Sequence, residues 1–341
     1  MSAILKPLSL LYGLVASLRN SLYDKGILAS YRSTIPVLSV GNLTAGGSGK
    51  TPLTALLCSE LAKRGHRPVV LSRGYKGSNR GTHLVSPTDS AALVGDEPRM
   101  LAEQGGFSVV VSADRVAGAK FIEQSGLGTI IVLDDGLQHR RLARSVNILA
   151  IDCSSRAAVD GFVQGDLLPT GRFREDRESG LKRVDAVVLN ARMPKALAPS
   201  TEPIERILPP TLPTFSCVLE IASVSERRSG APIQAESPIQ PFCALGNPEG
   251  FLATLSTLGK VVLPPVCKPD HATFSPAEIA EIQRAHPGAA LVCTAKDAVK
   301  IPVEVEDAIY IVRARPVVEN LASMMDLVEA KISDSANQGD R

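Results

Sequence analysis

Tryptophan is absent from this 341-residue chain, and the three aromatic types together make up only 4% of it. Stacking platforms for single-stranded nucleic acid are therefore poorly supplied. The formal net charge is only +2, so electrostatics give no case for a polyanionic partner either, and no nucleic acid is expected. The six cysteines, at 58, 153, 217, 243, 267 and 293, contain no C-x-x-C pair and no histidine at ligand spacing. That argues against a zinc site and reads as buried thiols in a reducing compartment. Also missing is any apolar run near the roughly 20 residues that a membrane-spanning helix requires.

What is present is ordinary for a soluble globular protein: 44% hydrophobic and 21% charged residues, with length for about two domains. The most apolar stretch is residues 8–18, LSLLYGLVASL. No small-x-small cleavage site follows it before Arg19, which sets a signal peptide aside. Leu8, Leu11, Val15, Leu18 and Leu22 fall at helical spacing, while Lys6, Arg19, Lys25 and Arg32 outnumber Asp24. A basic amphipathic helix lying in a membrane interface has this form, and so does a helix docked on the protein's own core. Both readings stand at this point, and they are compatible.

Residues 44–51 read TAGGSGKT, between the apolar run 35–40 and the alanine- and leucine-rich stretch 52–63. Strand, glycine loop and helix in that order make a phosphate cradle. Backbone N–H groups of Thr44, Ala45, Gly46, Gly47, Ser48 and Gly49 turn inward on a polyphosphate. Lys50 reaches the terminal phosphates, and Thr51 offers its hydroxyl to Mg²⁺. The usual pattern opens with glycine, where this chain has Thr44; the Gly46-Gly47 pair supplies the backbone freedom instead. An ATP-dependent phosphotransferase or ATPase follows from these residues.

Further Val- and Ile-rich runs at 68–71, 107–111, 129–133, 146–151 and 186–189 alternate with helical patterns such as 113–124. This predicts an α/β fold whose mostly parallel sheet is covered by helices on both faces. Ligands in such sheets sit at the carboxyl ends of the strands, which places Asp134, Asp152 and Asn190 near the nucleotide. The run 129–135, TIIVLDD, has the form of a strand whose terminal Asp134 and Asp135 hold Mg²⁺. Gly95-Asp96-Glu97-Pro98 opens a helix over 98–104. Asp96 serves there as a cap, or as the carboxylate that takes a proton from an acceptor alcohol, or both. Cations at 73–76 and at Arg115 stand at strand tips, and His271 in a Lys-Pro-Asp-His run is a plausible partner for a carboxylate across a cleft. Dense proline at 194–213 and polar turn residues at 222–241 mark a boundary between lobes. Strands at 242–245, 260–263, 289–293 and 308–312 and helices at 276–285 and 317–330 are expected beyond it. The tail from Ser333 is expected to fray. The division is thus 1–32 as a membrane-associating helix region, 33–213 as a P-loop kinase core, 214–332 as a smaller α/β domain, and 333–341 as the tail.

Taken in order, SVGNLTAGGSGKTP, LSRGYKG, VGDEPRML, SADRVAGA, LDDGLQHRRL, LLPTGRFRE, CALGNPEGF, PDHATFS and TAKDAVK, with the opening LYGLVASLRNSLYDKGIL, resemble the tetraacyldisaccharide 4'-kinase family of lipid A biosynthesis. The resemblance covers nearly the whole chain. It implies transfer of the γ-phosphate of ATP, with Mg²⁺, to the 4'-hydroxyl of an acylated glucosamine disaccharide 1-phosphate. The implied protein is a monomer, peripheral on the cytoplasmic face of the bacterial inner membrane. It further implies Asp96 as base supported by His271, Lys50 and Thr51 on phosphate and metal, and Asp134 and Asp135 at the Mg²⁺. Tyr75, Glu97, Arg115, Gln138, His139, Arg174 and Glu175 are placed around the cleft. Two positions depart from the family pattern: GRFRED replaces G-P-L-R-E-P around Arg172 and Phe173, and Ala295 stands where Glu is usual. Two rivals remain. A membrane-cycling partition ATPase needs a lysine before the glycine pair, where Ala45 stands here. A kinase for a soluble sugar leaves the apolar opening unexplained.

Overall fold

The computed structural model describes residues 2–339 other than 235, 247, 303, 306 and 307. Its strands are β1 Val37–Gly41, β2 Pro68–Ser72, β3 His83–Leu84, β4 Ser108–Val111, β5 Ile130–Asp134, β6 Val146–Asp152, β7 Ala186–Asn190, β8 Thr214–Glu226, β9 Ile239–Cys243, β10 Val266–Cys267, β11 Ala290–Thr294 and β12 Ile309–Val318. They form one twelve-stranded sheet in the order β10-β9-β11-β12-β8-β7-β6-β1-β5-β2-β4-β3. Only β3 with β4 and β8 with β12 pair antiparallel. Every residue of β1, β2, β5 and β7 is buried, as continuous Val- and Ile-rich runs demand when helices cover both faces.

Alternate residues of these strands feed two cores. Leu38, Val40, Val70, Ile130 and Val132 pack with Leu53, Leu57 and Leu61 of α2 (Lys50–Lys63), while Val37, Val69, Ile131 and Leu133 pack with Ala119 and Ile122 of a helix on the other face, Arg115–Gln124. Asp114 caps that second helix by accepting from Val116 N and Ala117 N. Strands before residue 191 occupy one end of the sheet and strands after residue 213 the other, and β8 joins them. Its first residues pair with β7, and from Cys217 onward it runs against β12 with a bulge at Arg313/Ala314.

Several elements differ from the reading above. The polar segment from 222 is not a linker from its start, because β8 continues to Glu226; its mixed exposure hides the strand from a burial pattern. Residues 260–263 make only an isolated bridge, Ile239 with Val262, and the edge strand β10 forms after Pro264-Pro265, where the missing N–H groups end. The last strand runs on to Val318. The closing helix, Leu321–Gly339, continues past Ser333, since neither Gly nor Pro occurs between 333 and 338. Five thiols are buried, but Cys267 on the edge strand is exposed.

The first helix, α1 (Ser2–Asp24), docks through its polar residues. Ser9 Oγ lies 2.8 Å from Thr170 Oγ1, the Tyr12 hydroxyl donates to Arg174 O at 2.9 Å, and Asn20 Nδ2 donates to Glu175 Oε2 at 2.7 Å. Its apolar side faces outward, with Leu10 and Leu14 each 69% exposed and Leu18 63%. No helix among the described residues is long and apolar enough to cross a membrane.

Met324, Met325, Val328 and Ile332 of the closing helix belong to the same core as α2. Met325→Ala is therefore expected to lower the unfolding free energy by about 2–5 kcal/mol, read as a lower denaturant midpoint at unchanged slope. A midpoint equal to that of the wild type would show that the chain's end is not part of this core.

Candidate functional site

The glycine loop leaves β1 and enters α2. Gly46 has φ 110°, which only glycine adopts without strain, and so supplies the turn that Thr44 cannot. Loop carbonyls are taken from outside: Asn42 Nδ2 donates to Gly46 O at 3.3 Å, Arg172 Nε to Ala45 O at 3.1 Å, Asn190 Nδ2 to Ser48 O at 3.1 Å, and Arg192 Nη1 to Gly47 O. Among the described residues no acceptor is bonded to the backbone N–H of Gly46, Gly47, Ser48 or Gly49. With carbonyls turned out and donors left over at a helix start, the loop is built for a polyanion. The departure at 172–173 is accommodated by Phe173, which is fully buried and bridges to Thr44, while Arg172 lies over the loop.

Carboxylates gather beside it. Thr51 Oγ1 lies 3.1 Å from Glu97 Oε2 and 3.2 Å from Asp134 Oδ2, so one hydroxyl proton serves two acids. Asp134 is buried at the tip of β5, and its pKa is pushed up to about 7 by burial first and then by the charge of Glu97. Asp135, at φ 58°, turns toward cations instead: Lys50 Nζ at 3.6 Å and Arg174 Nη1 at 3.1 Å. The structure thus brings Glu97, rather than Asp135, to Thr51. These oxygens suit Mg²⁺, which takes one or two carboxylates and completes its shell with phosphate and water. Among the described residues no group of three or more His, Cys, Asp or Glu forms a metal cage by itself.

Beside Glu97 stands Asp96, first residue of the helix Asp96–Gln104. Gly95 has φ 94°, and a Cβ there would approach Tyr75 O to 2.8 Å, so the chain passes close under Tyr75 before the helix begins. Among the described residues Asp96 makes no side-chain cap. Its Oδ2 lies 3.0 Å from His271 Nδ1 and 3.6 Å from Lys300 Nζ, both from the far end of the sheet. His271 Nε2 lies 3.4 Å from Asp270 Oδ2, and Tyr75 packs edge-on to the imidazole at 5.7 Å. Lys300 is 5% exposed and also pairs with Asp297 at 3.2 Å, and Lys296 Nζ lies 2.9 Å from Asp270 and 4.0 Å from Glu97. The lysines at 296 and 300 were not singled out from the sequence. Their spacing of four around Asp297 is the signal that one helical turn presents both.

The other expected cleft residues divide into two groups. Arg174, Gln138 and Glu175 form a chain: Arg174 Nη1 donates to Gln138 Oε1 at 3.2 Å and Gln138 Nε2 to Glu175 Oε1 at 3.1 Å. Glu175 is buried and held by Asn20 and Arg183, so it is a support behind the cleft rather than a group facing into it. Arg115 is also buried, donating to Ser112 O at 3.1 Å, and its pKa falls to about 10 through burial and then Arg73. His139 is held neutral, at about 4, by burial and then Arg115; its Nε2 is buried without a partner.

Comparison with known proteins agrees with this arrangement. The family model for tetraacyldisaccharide-1-P 4'-kinase matches residues 1–333. Tetraacyldisaccharide 4'-kinase of Chromobacterium violaceum is 37% identical over 315 residues, covering 90% of this chain and 86% of the relative. The Aeromonas hydrophila protein of the same name is 37% identical over 303 residues, covering 87% and 83%. Among solved structures, LpxK from Aquifex aeolicus in complex with ATP superposes with a TM-score of 0.77 at 30% identity, covering 97% of this chain and 99% of that one. By sequence over nearly its full length and by fold, this chain belongs to the tetraacyldisaccharide 4'-kinase family.

Proposed function

We propose that this protein moves the γ-phosphate of ATP onto the 4'-hydroxyl of a tetraacylated glucosamine disaccharide 1-phosphate, the kinase step of lipid A biosynthesis. One observation carries the mechanism: a carboxylate, Asp96, whose neighbour Glu97 reaches Thr51, stands beside a loop whose N–H donors are unbonded among the described residues and whose Lys50 meets only Asp135, at 3.6 Å. Asp96 Oδ2 is occupied by His271 and Lys300, which leaves Oδ1 to accept from the sugar hydroxyl. As the sugar oxygen bonds to the γ-phosphorus, the bond to the bridging oxygen of ADP breaks and the hydroxyl proton passes to Asp96. Lys50 and the loop N–H groups hold the phosphate oxygens through the transfer. Mg²⁺, when bound, neutralises phosphate charge; Thr51, Asp134 and Glu97 are the residues to hold it, with Asp135 beside Lys50. Residues 33–213 then form the nucleotide lobe and 214–332 the smaller lobe that brings His271.

The outward apolar face of α1 supports a seat for a monomer on the cytoplasmic face of the inner membrane, with Leu10, Leu14 and Leu18 in the lipid. The same helix reaches the cleft through Tyr12 and Asn20.

Asp96→Asn is expected to lower kcat by about 10²–10⁴-fold with nucleotide binding retained, measured with labelled ATP and the detergent-dispersed lipid acceptor. Wild-type turnover would remove Asp96 from the base role. Leu14→Glu with Leu18→Glu is expected to weaken vesicle binding on the order of 100-fold while leaving turnover in detergent intact. Undiminished vesicle binding would return the helix to a purely internal role.

The raised pKa of Asp134 carries a stability consequence. The folded protein keeps that proton up to about pH 7, whereas the unfolded chain releases it near pH 4. This group therefore stabilises the fold at low pH and its contribution is lost as pH rises through about 7. Denaturant midpoints in chelator should fall more steeply across that window for the wild type than for Asp134→Asn. Identical slopes would mean that Asp134 is not the titrating group.

A further inference from the structure

At the amino ends of β6 and β7, the edge opposite the phosphate loop, lies a cavity of about 440 Å³ lined by Ser30, Arg140, Arg144, Lys182, Arg183 and Asp185 among others. Four cations face one carboxylate there, and that carboxylate is already engaged: Asp185 accepts from Asn147 N at 2.8 Å and pairs with Lys331 Nζ at 2.9 Å. Arg140 is satisfied by Asp24 at 2.7 Å and Asn20 O at 2.8 Å, and Arg183 pairs with Glu175. Two charges remain. Among the described residues Arg144 donates only to neutral oxygens, Asn147 Oδ1 and Leu142 O, both at 3.1 Å, and His139 O at 3.5 Å. Lys182 is exposed and has no ion pair among the described residues. In addition Arg183 Nε is buried and has no hydrogen-bond partner among the described residues. Burial, then repulsion from Arg140 and Arg183, lowers the pKa of Arg144 to about 10, so an anion placed here relieves an existing strain between like charges.

Exposed apolar residues precede one of its lining residues, Ser30, in the chain. Ser30 Oγ donates to Arg140 O at 2.6 Å, and between Ser30 and the end of α1 stand Ile27, 66% exposed, and Leu28, 38% exposed. Arg140 in turn ties the cavity to Asn20 and Asp24 of α1, whose other face is the exposed apolar one. A free inorganic anion has no use for apolar surface so near in the chain, whereas a headgroup attached to acyl chains does. The volume lies in the range of small-molecule sites and is ample for a phosphate with part of its glycerol.

We propose that this cavity binds the phosphodiester headgroup of an anionic phospholipid, as a site separate from the catalytic cleft. The proposal rests on the reading of α1 as membrane-seated. Guanidinium and ammonium donors from Arg144, Lys182 and Arg183 take the phosphate oxygens, and Ile27 and Leu28 meet the first methylenes.

The test is co-sedimentation of the full chain with phosphatidylcholine vesicles, with and without phosphatidylglycerol. Wild type is expected to bind the mixed vesicles at least roughly tenfold more tightly, and Lys182→Gln and Arg144→Gln each to lose most of that gain. Lys63→Gln, which removes an equal charge from the end of α2, is expected to keep it. Equal losses in Lys182→Gln and Lys63→Gln would reduce the effect to bulk charge and overturn the site. Absence of any gain from phosphatidylglycerol, with neutral-vesicle binding intact, would overturn it while leaving the seat of α1 standing; loss of neutral-vesicle binding is the separate signature of that seat failing. Should Arg144→Gln fold poorly, the exposed Lys182 variant decides. Calorimetric binding of inorganic phosphate at submillimolar concentration without vesicles, abolished by Lys182→Gln, would make this a free-phosphate site and overturn the lipid assignment.

Discussion

The contact between Asp96 and His271, 3.0 Å long, is the constraint on which the rest of the molecule depends. Asp96 lies between β3 and β4 at one end of the sheet order, and His271 follows β10 at the other. Neighbouring strands stand about 4.8 Å apart, so a flat sheet of this width would separate those ends by roughly 50 Å. The contact forms because Asp96 does not stay at that end: its helix packs over the sheet face with α2, Leu101 and Ala102 sharing the core of Leu53 and Leu57, and Glu97 reaches Thr51. The two halves of the sheet join where β8 leaves β7 after four paired residues and follows β12 through a bulge. The Asp96–His271 contact thus joins an element from each half of the sheet across one cleft.

The cleft's electrostatics follow from what that contact crowds together. Asp96, Glu97, Asp134 and Asp135 come from two elements of the nucleotide half. Lys50 and Arg174 answer from the same half, and His271, Lys296 and Lys300 answer from the other. Cations therefore hold the outer carboxylates, while Asp134 at the buried centre is left beside Glu97 with its pKa raised. Charge at the middle of the site is thus less fully neutralised than at its rim, which is the property on which the proposed Mg²⁺ role rests.

Much of this was legible in the sequence because it is local. The glycine loop, the strands ending in Asp134 and Asn190, and the apolar stripe of α1 each declare themselves within a dozen residues. What stayed hidden was non-local. β8 is a long strand whose main partner, β12, lies far away in sequence, and its mixed exposure gives no clean alternation. The capture of Asp96 by Lys300 spans 204 positions and has no local signature. The inward turn of Arg115 and the support role of Glu175 depend on neighbours brought by folding, so residue type and strand-tip position suggested cleft-facing groups where the structure has buried ones.

One further link runs from α1 to the glycine loop. Asn20 of α1 holds Glu175, Glu175 holds Gln138, Gln138 holds Arg174, and Arg174 holds Asp135 beside Lys50. Helix α1 and the cleft thus share one hydrogen-bonded chain, while the proposed mechanism places turnover on the pair across the cleft. The most direct test of that pair is a double-mutant cycle on kcat with Asp96→Asn, His271→Gln and the combination. If His271 acts through Asp96, the double variant should be no slower than Asp96→Asn alone. Losses that multiply would mean that the two act independently, and would contradict the account.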